Sequence, residues 1–449
     1  MNTPVCDFVK RYGQESPVRM HMPGHKGVSF LGWEGLDITE IEGADWLYGP
    51  EGIIRESEEN AAGLFGAGQT LYSTEGSSQC IRAMAYLALL AFWEKSPGAR
   101  PAIIAGRNAH KSFLTACALL DFDIVWLFPE NQDYSLCRCD ISPARLEKAL
   151  GETPNAAAVY LTSPDYLGNC TDIPALSQVS RKKGVPLLVD NAHGAYRRFL
   201  SPSRHPMDEG ADICCDSAHK TLPVLTGGAY LHIAPAAPQA FFKRAREAMG
   251  LFGSTSPSYL ILQSLDRANL YLAEGYREKL LETAERVQKL RQRLSQRGWR
   301  FLGDEPVKLT LKAKEYGYTG QEAGAHLAGK GIIWEYADPD YLVLMPSPEN
   351  PPEDFARLYE ALSALEKRPA LGRALPRLER PWQAMSLRQA MLSPWEEVPL
   401  EAALGRTAAS PAASCPPAIS PAVPGEVITE AVAAVYQYYG IGSVRVVAG

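Results

Sequence analysis

No apolar run in this 449-residue chain is long enough to cross a bilayer. The longest, Met84 to Trp93, is about half the roughly 20 residues a membrane helix needs and reads as a buried helix. No basic stretch followed by an apolar core opens the sequence, so no secretory signal and no membrane partner are expected. Positive charge is in deficit: 45 Lys and Arg against 51 Asp and Glu leave a net charge of −6. That excludes the basic field of a nucleic-acid-binding protein but leaves room for a local phosphate pocket. Neither Cys137-x-Cys139 nor Cys214-Cys215 has a second cysteine pair at zinc spacing, and the total of nine cysteines is odd. Thiols in a reducing cytoplasm, and no structural metal, are the expectation.

What is present suffices for a large core in two or three domains, with 46% apolar residues. Residues 1–56, rich in Gly, Pro and charge, read as an N-terminal arm. Across 57–256 short apolar runs alternate with helical stretches: Ala102–Ala105, Ile124–Phe128, Ala157–Leu161, Val185–Val189, Ile213–Cys215 and Ala229–Ile233. Continuous apolarity marks strands buried on both faces, so this is an α/β domain on a mostly parallel sheet. Residues 257–367 read as a smaller α+β domain. It opens with one long amphipathic helical stretch to about Arg297, then has strands at Val307–Leu311 and Tyr341–Met345 and helices near 320–329 and 352–366. Residues 368–449 comprise a Pro/Arg-rich linker and a C-terminal tail domain, with a proline-dense segment (Ser410 to Gly425) and a helical stretch from Val427 to about Tyr439.

Ligands of open α/β sheets bind beyond the carboxyl ends of the strands, and four polar groups fall there. Ser73-Thr74-Glu75-Gly76-Ser77-Ser78 runs into a helix, and its free N–H groups, the Ser77 and Ser78 hydroxyls and the helix dipole suit a phosphate. After the strand at 102–105 comes Arg107-Asn108-Ala109-His110-Lys111-Ser112, where His110 is placed to lie against an aromatic cofactor. Asp190 leaves a fully apolar strand and needs a positive partner if buried; a protonated pyridine nitrogen is one, and the small Ala192 lets a flat ring approach. Lys220, in Asp216-Ser217-Ala218-His219-Lys220-Thr221-Leu222, leaves a buried strand, where desolvation favours the neutral amine of a Schiff base; Ser217 and His219 flank it as further phosphate contacts. Each group has a bland counterpart: a serine cap, a structural histidine, a helix cap, a surface lysine. Together, their order fits one cofactor, pyridoxal 5'-phosphate (PLP), across one sheet edge.

These segments, with His21-Met22-Pro23-Gly24-His25-Lys26-Gly27, Asp37–Glu40, Gly49–Gly52 and Val423-Pro424-Gly425-Glu426, resemble the bacterial ornithine/lysine/arginine decarboxylase family. The resemblance spans nearly the whole chain and is to short forms without an N-terminal receiver-like domain. It implies an aspartate-aminotransferase-like (fold-type-I) PLP fold. It also implies that Lys220 carries the cofactor, His110 stacks on the pyridine ring and Asp190 pairs with its nitrogen. Ala192 would pack beneath the ring, His193 would lie close to it, and Ser77, Ser78, Ser217 and His219 would hold the phosphate. The implied activity is decarboxylation of arginine, lysine or ornithine to an amine of polyamine metabolism, by a homodimer or higher homo-oligomer.

The chain departs from the family pattern at Asn191, where glutamate is usual, at Asp165-Tyr166-Leu167 (usually Thr-Tyr-Tyr), at Glu75 (usually asparagine) and at Cys415–Ala418. These put substrate identity and activity in question more than cofactor binding. An aminotransferase, lyase or aldolase, and a weakly active or non-catalytic PLP-binding protein, remain alternatives, because one fold hosts many chemistries. Asp165 and Glu335 are the candidate partners for a substrate's distal cation.

Overall fold

The computed structural model describes residues 1–130, 136–377, 379–411 and 419–449. Residues 412–418 of the proline-dense segment, Cys415 among them, lie outside these residues. No disulfide joins the eight described cysteines. No described helix is long and apolar enough to cross a membrane. The chain divides into two compact units, Met1–Ile103 with Leu146–Ser163 and Asp172–Glu278, and Ile104–Arg145 with Pro164–Thr171 and Lys279–Gly449.

The first unit begins with helix α1 (Pro4–Gln14), which has proline in its first turn and buries Val5 and Val9. An irregular stretch leads to α2 (Ile53–Phe65), stopped by Gly66 in the left-handed region that an L side chain resists. Strand β1 (Gln69–Ser73) follows, then α3 (Ser77–Lys95), which contains the apolar run Met84 to Trp93 read from the sequence. Strands β2 (Ala102–Gly106), β3 (Asp123–Leu127), β4 (Ala156–Thr162), β5 (Leu187–Asp190), β6 (Ile213–Asp216) and β7 (Ala229–Ile233) fall on the six expected runs. The sheet order is β1-β7-β6-β5-β4-β2-β3. Strand β5 runs parallel to β4 and β6, while β7 is antiparallel to both β6 and β1. Two antiparallel pairings in succession return β1 to the direction of β6. The carboxyl ends of β1, β4, β5 and β6 (Ser73, Thr162, Asp190 and Asp216) therefore share one edge. Their registers agree: Thr162 pairs with Asp190, Asp190 with Cys215, Asp216 with Tyr230 and Ser73 with Ala229.

The long helical stretch after Pro257 is two helices, Tyr259–Ala273 and Tyr276–Gln296, broken where Gly275 takes φ +75°. In the second unit a four-stranded antiparallel sheet orders Tyr336–Ala337, Leu342–Leu344, Leu309–Leu311 and Phe301–Leu302. Its core joins Leu309, Leu311, Leu342 and Leu344 to Leu327, Leu358 and Leu362 of the helices Gly320–Ala328 and Pro352–Ser363. Trp299 and Tyr316 stack at 3.8 Å within it. The tail adds the helix Glu430–Tyr438, capped by Thr429, and a two-stranded antiparallel sheet of Trp395–Pro399 with Ser443–Val447.

Candidate active site

The turn after β1 brings Ser77 to the start of α3, where backbone N–H groups lack helical partners and favour an anion. Gly76 makes the turn at φ 69°, and a Cβ there would come no nearer to a neighbour than 4.0 Å, from His219 Cε1. Ser217, one residue beyond β6, donates its hydroxyl to Ser77 Oγ at 2.7 Å, and both are buried. His219 Nδ1 donates to the Gly228 carbonyl oxygen at 3.0 Å, while Gly76 N–H donates to Gly227 O at 2.7 Å, so the two turns are tied through one loop. Burial, aided by the neighbouring Lys220 cation, pushes the His219 imidazole down from its ordinary value despite the Gly228 bond. Thr74 Oγ1, in the same turn, is buried without a hydrogen-bond partner. A donor set of hydroxyls and helix N–H groups around a glycine, with one buried hydroxyl still unpaired, fits a phosphate ester.

Asp190, at the end of β5, is 2% exposed. Its Oδ2 accepts from Tyr160 Oη at 3.0 Å and its Oδ1 from Ala192 N–H at 3.1 Å. Oδ1 also receives the Cys215 thiol at 3.8 Å, which leaves Oδ2 with a further lone pair for a cationic N–H. Tyr160 was not anticipated from the sequence. The only signal was a phenol inside a fully apolar strand, which must find a partner when buried. Burial and the adjacent Asp190 push its hydroxyl well above the usual range, so it stays a donor. Ala192 and His193 are both buried.

Lys220 Nζ donates to His193 Nε2 at 3.1 Å. The expected desolvation of this amine is not met. In the single chain Lys220 is exposed, because the short helix Ala218–Thr221 leaves the sheet at its edge, and the buried His193 ring is what holds the nitrogen. Ser77, Ser217, His219, Lys220, Asp190, Ala192 and His193 are thus gathered at one edge of the first unit. Ser78 follows Ser77 in the first turn of α3, half-buried.

His110 belongs to the second unit, where it caps helix α4 (Lys111–Leu120), accepting Ser112 N–H on Nδ1 at 3.2 Å. A neutral ring then carries its proton on Nε2. Its segment starts at Arg107, which is fully buried and pairs bidentately with Glu426: Nη1 to Oε1 at 2.8 Å and Nη2 to Oε2 at 2.5 Å. The Arg107 guanidinium also lies 5.0 Å from the Trp126 ring and 4.9 Å from Phe128.

Of the two candidates for a substrate's distal cation, Asp165 is committed elsewhere. Its Oδ1 accepts Leu167 and Asn169 N–H groups, each at 2.9 Å, and Oδ2 accepts the Asn169 amide at 2.8 Å. Gly168 closes this turn at φ +86°, against Glu305 and Lys308. Glu335 is exposed and accepts the Tyr166 hydroxyl. Burial pushes the Asp165 carboxyl up to about 7, against the lowering effect of its hydrogen bonds and Lys308. A raised folded value means its contribution is fully present below the unfolded value of 3.8 and is lost as pH rises to about 7. Asp165→Asn cannot ionise, so its melting temperature relative to the unsubstituted chain should rise between pH 4 and pH 7.5, by the equivalent of a few kcal/mol. A difference independent of pH would refute the assignment.

The family profile described as Orn/Lys/Arg decarboxylase, major domain, matches residues 3–313. Arginine decarboxylases of Bacillus subtilis (strain 168) and Halalkalibacterium halodurans are each 31% identical to this chain, over 95% of it and 91% of their own length. The lysine decarboxylase LdcF of Francisella novicida has the same fold, with a TM-score of 0.81 at 17% identity over 99% of this chain and 81% of that one. This likeness places the mixed α/β fold, with its mostly parallel large sheet, among fold-type-I enzymes. The chain belongs to the Orn/Lys/Arg decarboxylase family of amino-acid decarboxylases.

Proposed function

We propose that this chain decarboxylates a basic amino acid with PLP, and that arginine is the substrate, giving agmatine for polyamine metabolism. The observation that carries the reading is the meeting of a phosphate-type cradle, a buried carboxylate and a lysine amine at one sheet edge. The 31% identity to two arginine decarboxylases favours arginine over lysine and ornithine. When bound, PLP supplies the electron sink for the bond broken at the substrate's Cα. Ser77, Ser78, Ser217 and His219 bind the phosphate. Asp190, oriented by Tyr160 and the Ala192 N–H, holds the proton at the pyridine nitrogen. Ala192 leaves space for the ring. Lys220 anchors the coenzyme through its amine, and His193 accepts a proton from that amine.

The arm supports assembly as a homodimer: Met20, Phe30 and Leu31 are 88%, 76% and 85% exposed, a concentration of bare apolar side chains that soluble chains rarely leave uncovered. Incubation with PLP and arginine, lysine or ornithine in turn, followed by CO₂ and amine analysis, tests the function. Agmatine with stoichiometric CO₂ is expected. A keto acid or pyruvate would transfer the chain to the transaminase or lyase reading, and coenzyme uptake without turnover would make it non-catalytic.

A further inference from the structure

One buried polar cluster at the same sheet edge has no part in the proposed chemistry. Asp216, the last residue of β6, is fully buried, and so are Asn191, His205 and His232. Asn191 Nδ2 donates to Asp216 Oδ1 at 2.6 Å. On the other oxygen, His205 Nε2 lies at 2.9 Å and His232 Nε2 at 3.3 Å. Two imidazoles and a carboxylate this close have the composition of a metal site. The outer contacts decide otherwise. Met207 N–H donates to His205 Nδ1 at 3.3 Å, which puts the ring proton on Nε2 and makes that nitrogen a donor rather than a ligand. Thr70 Oγ1 sits 2.8 Å from His232 Nδ1, so its hydroxyl can set the same tautomer there. Burial opposes the charge on Asp216, but the two imidazoles outweigh it and hold the carboxyl below the usual carboxylate range. Burial also pushes His232 down, toward the neutral form that this arrangement requires.

We propose that Asp216 is a positioning residue, whose bond to Asn191 fixes the spacing between the strand exits that carry Asp190 and Lys220. Asn191 follows Asp190 directly, and Asp216 directly precedes the Ser217-Ala218-His219-Lys220 turn. Past the strand ladder one backbone bond joins these segments, from Asn191 N–H to Cys215 O at 3.0 Å, while Lys220 N–H turns back within its own segment to Ser217 O at 2.9 Å. Beyond Cys215 the Asn191–Asp216 pair ties the two exits in the buried interior, with the Lys220–His193 contact outside it; His205 holds Asp216 from behind by a hydrogen bond and His232 lies 3.3 Å from the same oxygen. The usual glutamate of this family at the position of Asn191 is replaced here by an amide, and the carboxylate stands one strand away, at 216. This inference deepens the proposed function and rests on it for its catalytic consequence.

Three variants test it: Asn191→Ala, Asn191→Asp, and Asn191→Asp with Asp216→Asn. The first removes the tie. The second sets two carboxylates face to face. The third reverses the roles, since the amide now at position 216 would offer its oxygen to both imidazoles and its N–H to the carboxylate now at 191. In the PLP-loaded protein, N191A should lower kcat about tenfold or more with KM little changed, as displacement of reacting groups does. Its coenzyme absorbance band should also shift, and the double variant should recover both properties while N191D does not. Amide hydrogen exchange of segments 190–194 and 216–222 reads the tie without turnover. N191A should speed both segments together, and the double variant should slow them again. Unchanged exchange in both segments, or a double variant no better than N191D, would overturn the proposal. Those outcomes stand even if the unsubstituted protein decarboxylates nothing, so failure of the functional reading remains separate.

Discussion

Lys220→Ala should make no detectable amine from any basic amino acid and should lose covalent attachment of the coenzyme, while remaining folded. The fold should survive because Lys220 is exposed and its side-chain bond to His193 Nε2 is at the sheet edge rather than in the core. Removing it deletes one hydrogen bond to the His193 imidazole, a smaller loss than the several kcal/mol of a core truncation. Borohydride reduction of the loaded protein followed by mass analysis is the decisive measurement. The unsubstituted chain should retain the coenzyme mass on the peptide containing residue 220, and the alanine variant should retain none. Coenzyme mass fixed to any other lysine of the variant would show that the anchor had been misassigned. Circular dichroism and melting temperature close to those of the unsubstituted chain should accompany the loss.

Asn or Gln in place of Glu426 should unfold the protein at distinctly lower temperature, and Arg107→Met alone should do the same. Both partners are almost without solvent contact, and the pair is bidentate, with Glu426 Oε2 also accepting the Val423 N–H at 2.8 Å and Arg107 Nη2 donating to Ser420 O at 3.3 Å. Breaking such a pair from one side leaves a buried charge uncompensated, which costs about 3–5 kcal/mol. Arg107→Met combined with Glu426→Leu should cost much less than the sum of the two, because no orphaned charge remains. Additive losses in that double-mutant cycle would mean the two residues act independently, contrary to the geometry. Because Arg107 opens the segment that ends at His110, the single variants should also weaken coenzyme binding, read by titration of the coenzyme absorbance.

Five of the six strands read from the sequence were legible because burial on both faces forces continuous apolarity, as in Ala157–Leu161 and Ala229–Ile233; β3, at the sheet edge, is apolar but only partly buried. Strand β1 was not legible. Gln69, Thr70 and Ser73 interrupt it, and two of those polar groups are spent on specific partners, Thr70 on His232 and Ser73 on Gln79. The antiparallel pair of Trp395–Pro399 and Ser443–Val447 was equally hidden, since its first strand is largely exposed and carries two glutamates and a proline. At the site, groups contiguous in sequence were visible: Gly76-Ser77, Asp190-x-Ala192 and Ser217-x-His219-Lys220 each announce themselves within a few residues. The supporting side chains were not, because Tyr160, Thr74, His205 and His232 acquire meaning only when four strands end side by side. Asp165 shows the opposite failure, a conspicuous acid in a suggestive motif that the structure consumes in closing its own turn.

The pairing of β1 with β7 has a consequence for how the protein is made. Every partner of β1 in the sheet lies between Ala229 and Ile233, so the strand bearing the phosphate turn has nothing to pair with while the chain grows from Ser73 to Ile233. At the usual elongation rate of roughly 5–20 residues per second, that wait lasts on the order of ten to thirty seconds. Throughout it, a five-residue segment with unmet backbone donors and acceptors stays open to wrong neighbours, which makes the nascent chain a natural client for chaperones. Yield in the cell should therefore respond to translation speed across residues 74–233 more than to the stability of the finished fold.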